Sequence, residues 1–201
     1  MVKIKVCGLR RLEDIAYANE LQVDYAGFVF APSPRQVNLS LAKKLVANLA
    51  TDIQKVGVFV NENYHVVNEV AKELQLDIVQ LHGSEPPETM KYYTPDIWKA
   101  IRVQNLFSLE EALSYQVNGI LLDTAVKGRM GGTGQTFNWN LTKEISLPAP
   151  LILAGGLNPD NVEQAIASVN PFAVDVSSGV ETNGCKDYVK LKTFIERVRA
   201  K

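Results

Sequence analysis

The sequence of 201 residues is poor in cysteine and histidine, with two of each. A structural zinc site takes four ligands, most often with cysteines close together in the sequence. Cys7, Cys185, His65 and His82 do not form such a set, so we expect no bound metal. Both cysteines are expected to remain free thiols, because structural disulfides are rare in a reducing compartment.

The chain also lacks an excess of charge of either sign. It has 21 Lys and Arg against 22 Asp and Glu, a formal net charge of −1, and no run of basic residues exceeds two. Proteins that bind nucleic acid carry a basic patch or stripe. We therefore expect no nucleic-acid partner.

Long hydrophobic runs are absent as well. No apolar stretch reaches the roughly 18 residues of a membrane-spanning helix, and residues 1–7 alternate lysine with apolar residues. These features predict no membrane segment and a cytoplasmic location. With 46% hydrophobic and 21% charged residues, the composition is that of a globular protein, and we expect one domain over residues 1–201.

Short apolar runs, in contrast, recur along the whole sequence. They are rich in β-branched and aromatic residues, which is typical of strands that are buried on both faces. The predicted strands are Lys3–Cys7, Tyr25–Phe30, Lys55–Val60, Ile78–Leu81, Ile97–Ile101, Gly119–Leu122, Leu151–Ala154 and Phe172–Val176.

Amphipathic segments with helical spacing lie between these runs. Ser40 is a candidate N-cap for the helix after the second strand. Asn158 followed by Pro159 predicts the start of a later helix. The last helix is expected to follow Asp187 and to bury Val189, Phe194, Ile195 and Val198. The helices after the fourth and fifth strands are the least clearly marked.

Alternating strands and helices of this kind predict an α/β fold, a single-domain (β/α)8 TIM barrel. An open doubly wound sheet is the alternative architecture. The first turn, Cys7-Gly8-Leu9-Arg10, lacks the three-glycine dinucleotide fingerprint that such sheets often carry, which favours the barrel.

In such a barrel, reacting groups gather where the strands end. Candidate site residues at these positions are Cys7, Arg35, Gln80, His82 and Asp123. The loops after the seventh and eighth strands contain Gly155-Gly156 and Ser177-Ser178-Gly179. Loops at these two positions often bind phosphate through backbone N–H groups, although each is also compatible with a simple tight turn.

Cys7 and Asp123 form a candidate base and acid pair. A free cysteine is often only a small buried side chain, but a thiolate formed after a modest fall in pKa would be a competent base. Asp123 follows an apolar strand and would act as an acid if a partly desolvated site kept it protonated. Alternatively, it would cap a turn or pair with Lys127 or Arg129.

The remaining candidates have weaker signals. The glycine-rich segment Lys127–Gln135 lacks the spacing of a P-loop and is interpreted as a lid over the substrate, or else as a disordered surface loop. Arg35 could bind a carboxylate through two hydrogen bonds, or be a surface charge. Gln80 and His82 suit substrate contacts, and His82 could equally be a buried, hydrogen-bonded histidine.

Taken in order, these segments resemble the phosphoribosylanthranilate isomerase family over the whole chain. The matching motifs are Val6-Cys7-Gly8-Leu9, Gly27-Phe28-Val29-Phe30 with Ser33-Pro34-Arg35, Val56-Gly57-Val58-Phe59-Val60, Gln80-Leu81-His82-Gly83, Leu121-Leu122-Asp123, Gly131-Gly132-Thr133-Gly134, Ala154-Gly155-Gly156-Leu157-Asn158, and Asp175-Val176-Ser177-Ser178-Gly179-Val180-Glu181. Each is short, but their joint occurrence is specific. Residues 182–185 lie in a stretch that varies in the family, so Cys185 receives no role.

The resemblance implies an enzyme of tryptophan biosynthesis that performs an Amadori rearrangement of a phosphoribosyl substrate without a cofactor. Asp123 would protonate the ring oxygen and Cys7 would remove the C2 proton. Arg35 would bind the anthranilate carboxylate, and the loops at Gly155-Gly156 and Ser177–Gly179 the phosphate. Gln80, His82 and Asp175 would contact the substrate. The motifs leave a monomer and a homodimer both open.

Related phosphoribosyl barrels are the nearest alternatives. The isomerase of histidine biosynthesis would be expected to use an aspartate where Cys7 stands. Indole-glycerol-phosphate synthase would need lysine and glutamate at strand ends, and no suitably placed pair is evident in the sequence. A non-catalytic barrel that binds a phosphate ligand is the alternative from another functional class, since a fold does not fix a function.

Overall fold

The computed structural model describes residues 1–124 and 137–200, which form a (β/α)8 barrel. Eight parallel strands pair in sequential order, and β8 closes the barrel on β1. The predicted fold and all eight predicted strands are confirmed, with some ends shifted by one or two residues. The strands are β1 (Lys3–Cys7), β2 (Tyr25–Val29), β3 (Gln54–Phe59), β4 (Ile78–Leu81), β5 (Asp96–Val103), β6 (Gly119–Thr124), β7 (Leu151–Leu153) and β8 (Ala173–Val176).

Helices of unequal length connect the strands. After β4 and β6 the described connections contain the 3-10 helices Pro87–Tyr92 and Trp139–Glu144, and a further 3-10 turn, Glu111–Ser114, follows the short α4. The weak helical patterns noted after β4 and β5 therefore correspond to short helices. The α-helices are α1 (Leu12–Glu20), α2 (Leu39–Val46), α3 (Tyr64–Leu74), α4 (Leu106–Glu110), α5 (Val162–Val169) and α6 (Tyr188–Arg199).

Two predicted helix starts are wrong. Helix α2 is capped by Asn38, whose side-chain oxygen accepts a hydrogen bond from the backbone N–H of Leu41 at 2.8 Å, and not by Ser40. Helix α5 begins at Val162 and not at Pro159. A turn precedes it, in which Oδ1 of Asn161 accepts from the N–H of Asn158 and Oδ1 of Asn158 accepts from the N–H of Asp160.

The start of α6 is confirmed, but one of its predicted core residues is wrong. The Asp187 carboxylate accepts from the N–H of Lys190 and caps the helix. Phe194, Ile195 and Val198 are buried as expected, whereas Val189 is 70% exposed. Leu191 is buried instead, since the first turn of α6 presents that position to the barrel.

The side chains inside the barrel change from apolar to polar along the barrel axis. A cluster that includes Tyr25, Val56, Trp98, Leu121 and Ile152 fills the lower part, where the rings of Tyr25 and Trp98 meet edge to face at 4.9 Å between centroids. Polar residues occupy inward positions nearer the carboxyl ends of the strands. A separate and larger apolar layer lies between the strands and the helices. The lower interior is thus a packed support, and chemistry is confined to the upper end.

A small hairpin follows β8. It consists of β9 (Glu181–Thr182) and β10 (Cys185–Lys186). Asn183 and Gly184 form its turn with φ values of 53° and 74°, as two-residue hairpin turns require. The hairpin places Glu181 and Lys186 opposite each other.

No helix within residues 1–124 or 137–200 is long and apolar enough to cross a membrane. Over the same residues, no three His, Cys, Asp or Glu side chains are grouped so that they could hold a metal ion.

Candidate active site

A pocket opens at the carboxyl ends of the strands, and the predicted site residues converge on it. Cys7, Arg35, Gln80, His82, Asp123, Gly155, Gly156, Asp175, Ser177 and Ser178 all line it. Gly179 is not among the lining residues. A Cβ at Gly179 would lie 1.9 Å from the carbonyl oxygen of Leu157, so this glycine allows the loop after β8 to pack against the loop after β7.

Cys7 is the last residue of β1 and is buried, with 8% of its surface exposed. Burial raises the pKa of its thiol, and the nearby Lys5 ammonium partly offsets that effect. The net direction is upward, opposite to the shift that a thiolate base needs. The base role therefore depends on the charges around Cys7.

Asp123 lies on β6 and belongs to a short hydrogen-bonded chain. Its Oδ2 is 3.2 Å from Nε2 of His82, and Nδ1 of His82 is 3.0 Å from the amide nitrogen of Gln80. Oδ1 accepts from the N–H of Thr124 at 2.8 Å. Because the Gln80 amide donates to Nδ1, the other ring nitrogen of His82 carries a proton and faces Asp123. His82 is thus hydrogen-bonded and partly exposed, and it connects two of the predicted residues.

Gly155 is required beside Asp123. Its φ is +77°, and a Cβ there would lie 2.8 Å from Oδ1 of Asp123 and 2.5 Å from the N of Thr124. A side chain would displace the carboxylate. The glycine therefore permits the loop after β7 to pass close to the candidate acid.

The two predicted phosphate loops both border the pocket. The loop after β7 turns at Gly156, whose φ is 68° and whose carbonyl accepts from the Asn161 amide at 2.9 Å. After β8, residues Ser178–Val180 form a 3-10 turn. The hydroxyl of Ser177 donates to the carbonyl of Cys7 at 3.0 Å, which ties this loop to the end of β1.

Arg35 reaches the pocket but is already paired. Its Nε and Nη2 donate to the two carboxylate oxygens of Glu181 at 2.7 and 2.6 Å. Oε1 of Glu181 also accepts from Lys186 at 2.7 Å. Two Arg35 nitrogens thus hold Glu181, and among the described residues Nη1 makes no hydrogen bond.

Sequence reasoning missed four charged residues at this site. Lys5 lies inside the barrel and Arg102 lines the pocket at the end of β5, while Glu181 and Lys186 hold Arg35 and the loop after β8. The signal for Lys5 was the alternation in Lys3–Cys7, because residues two apart on a strand face the same side. Arg102 likewise shares the face of Trp98 and Ala100. The hairpin pair was not detectable, since it depends on the fold of residues 181–186.

The predicted lid, Lys127–Gln135, lies outside the residues that the structure describes, as do Lys127 and Arg129, the alternative partners considered for Asp123.

Comparison with known proteins gives one consistent answer. The family model described as N-(5'phosphoribosyl)anthranilate (PRA) isomerase matches residues 4–197. The chain belongs to this family. The N-(5'-phosphoribosyl)anthranilate isomerase of Thermoanaerobacter sp. (strain X514) is 52% identical over 99% of this chain and 98% of its own length.

Solved structures of phosphoribosylanthranilate isomerases agree with this assignment. The enzyme from Thermotoga maritima has a TM-score of 0.91 and 41% identity, and the alignment covers all of both chains. A structure in complex with reduced 1-(o-carboxyphenylamino)-1-deoxyribulose 5-phosphate has a TM-score of 0.87 and 40% identity, again over all of both chains. As a member of the family, the chain is an isomerase of tryptophan biosynthesis.

Proposed function

We propose that the chain converts N-(5-phosphoribosyl)anthranilate into 1-(2-carboxyphenylamino)-1-deoxyribulose 5-phosphate, with Asp123 as acid and Cys7 as base. Asp123 gives its proton to the furanose ring oxygen, and the C–O bond breaks as the nitrogen lone pair forms an iminium. The Cys7 thiolate removes the C2 proton, and its electron pair neutralises the iminium to give an enolamine. Protonation of the enolamine at C1, with loss of the proton from the C2 hydroxyl group, then yields the ketone.

One observation carries this proposal. The Cys7 thiol at the end of β1 and the Asp123 carboxyl on β6 line the same pocket, which two loops that suit a phosphate also border. A base and an acid in one pocket can act on two atoms of one sugar, as general acid–base catalysis requires. Because both groups belong to the chain, the proton transfers need no cofactor.

The binding roles follow from the unused hydrogen-bonding capacity of the pocket. Among the described residues, Oδ1 of Asp175 and Oε1 of Gln80 are buried without a partner, and buried acceptors rarely stay unsatisfied. We assign them, with His82, to the substrate's hydroxyl groups. Arg35 binds the anthranilate carboxylate. The loops at Gly155-Gly156 and Ser177-Ser178-Gly179 bind the phosphate.

The proposal also extends to the organisation of the protein. Residues 1–201 act as one catalytic domain, which we place in the cytoplasm. The acid, the base and the phosphate loops all come from one chain. A monomer and a homodimer are therefore equally compatible with the reaction.

The test is the loss of N-(5-phosphoribosyl)anthranilate fluorescence when purified protein is added. Cys7→Ala and Asp123→Asn should each lower kcat by about 10²–10⁴-fold, the usual contribution of one acid or base, with KM changed much less. Cys185→Ala is the matched control, because it removes the other thiol and should keep full turnover. If Cys7→Ala retains near-full activity, the base assignment is wrong. An inert wild type would leave only a barrel that binds a phosphate ligand.

A further inference from the structure

Lys5 is a buried charge in the wall of the pocket. It lies on β1 two residues before Cys7, so both side chains project to the same side of the strand. Its surface is 0% exposed, and its ammonium donates to Oδ2 of Asp175 on β8 at 2.9 Å. A lysine is almost never fully buried unless it is paired, and Asp175 is the partner that keeps a charge at this position.

The Lys5 ammonium and the Cys7 sulphur both lie close to Gly27 of β2. A Cβ placed on Gly27 would lie 3.1 Å from Sγ of Cys7 and 3.2 Å from Nζ of Lys5. Both atoms thus reach over the same glycine, which pairs with Cys7 in the sheet. The long lysine stem brings a positive charge up to the level of the thiol.

From this geometry we propose that Lys5 is a positioning residue for the base, whose ammonium group stabilises the thiolate of Cys7. The inference rests on the role of Cys7 in the proposed function. Asp175 holds the ammonium in place through one carboxylate oxygen, and its other oxygen remains available to the substrate. Lys5 acts through Cys7.

The other charges that face Cys7 come from three further elements. Asp175 on β8 raises the pKa of Cys7, while Lys186 on β10 lowers it, and Arg35 follows β2. Burial has the largest effect and raises the pKa of Cys7, and Lys5 has the largest of the effects that lower it. Lys186 and Arg35 share the Glu181 carboxylate, so much of their charge is already neutralised. The pKa of Lys5 is raised, since its neighbours Asp175 and Cys7 outweigh its burial, and it therefore stays charged.

The experiment measures the ionisation of Cys7 and not turnover. In a Cys185→Ser background, the rate of Cys7 alkylation by iodoacetamide is followed against pH by mass spectrometry. Lys5→Met should raise the apparent pKa of Cys7 by about one unit or more, which slows alkylation at pH 7 about tenfold. The rates of the variant and the parent should converge at high pH.

A matched control and a second variant distinguish charge from structure. Lys99→Met removes another fully buried lysine, which pairs with Glu85 at 2.7 Å, and should leave the pKa of Cys7 unchanged. Lys5→Met combined with Asp175→Asn leaves no unpaired buried carboxylate, so it should fold even if Lys5→Met does not. In the double variant the pKa of Cys7 should still be higher than in the parent, though less so than in Lys5→Met, because Lys5 affects that pKa more than Asp175 does.

An unchanged pKa of Cys7 in Lys5→Met, or a wild-type value in the double variant, would overturn the proposal. A turnover assay adds a second readout. In Lys5→Met, kcat should fall about tenfold at pH 7 and recover as pH rises, with KM nearly constant. If instead the wild type is inert while the thiol pKa still depends on Lys5, the proposed reaction fails and the electrostatic inference stands.

Discussion

Replacing Glu181 by glutamine should destabilise the protein strongly at neutral pH. The Glu181 side chain is 7% exposed and accepts hydrogen bonds from Arg35 and from Lys186, which is itself 1% exposed. Burial alone would raise the pKa of Glu181, but these two cations lower it from 4.5 to about 2. A neutral amide would leave two buried or half-buried cations without an acid.

The magnitude follows from the pKa shift. A fall from 4.5 to about 2 corresponds to about 3 kcal/mol of extra stability from the ionised form, at about 1.4 kcal/mol per unit. Removing one member of a buried pair typically costs about 3–5 kcal/mol, which agrees. Because the folded-state pKa is lowered, this stability is fully present above pH 4.5. It is lost as the pH falls towards 2.

The assay is urea unfolding of the wild type and Glu181→Gln at pH 7 and at pH 3. The difference in the free energy of unfolding should be about 3 kcal/mol at pH 7 and clearly smaller at pH 3. Glu73→Gln is the matched control. Glu73 pairs with Lys43 at 2.6 Å, but both side chains are about half exposed, so its loss should cost less than about 1 kcal/mol. Equal effects of the two substitutions, or a Glu181→Gln effect that does not change with pH, would refute the reasoning.

Two further predictions concern residues that support Asp123 and His82. Gly155→Ala should lower kcat about tenfold or more and destabilise the fold by about 1–3 kcal/mol. The reason is that a Cβ would lie 2.8 Å from Oδ1 of Asp123, at a φ of +77°. Steady-state kinetics and thermal melting that match the wild type would contradict this prediction. Glu85→Gln should cost about 3–5 kcal/mol in urea unfolding at pH 7, since Glu85 pairs with buried Lys99 and accepts from the N–H of Gly83 beside His82. Burial raises the pKa of Glu85, but Lys99 outweighs burial and the net shift is downward. The loss in the free energy of unfolding caused by Glu85→Gln should therefore shrink as the pH falls below about 4.5. A loss that does not change with pH would contradict this prediction.

The sequence predicts the barrel because strands buried on both faces leave an unambiguous pattern. The helix starts were harder, since several residues near each start can cap a helix. Ser40 and Asn38 are both good N-caps, and the residue types alone do not decide between them. One predicted core residue of α6 is wrong for a similar reason. Val189 and Leu191 both fit an apolar stripe, and the angle at which the helix meets the strands decides which is buried.

Cys7 and Asp123 could be predicted because each ends or nearly ends a strand, and strand ends in this fold meet at one face. The charges around them could not. Lys5 lies in the predicted strand Lys3–Cys7 but is not among the candidate site residues, and its partner Asp175 is 170 residues away. Long-range pairs of this kind arise from the order of strands in the closed barrel, in which β8 returns beside β1.

The pocket combines buried charges with the requirement that such charges be paired. Lys5 is matched by Asp175, and Lys186 and Arg35 by Glu181. Arg102 is different, because among the described residues it bonds only the carbonyl of His82, at 3.1 Å, and no carboxylate. It therefore brings positive charge to the mouth of the pocket without an acid to neutralise it. A substrate with a phosphate and a carboxylate is anionic at both ends, and a guanidinium without a paired acid at the entrance favours its approach.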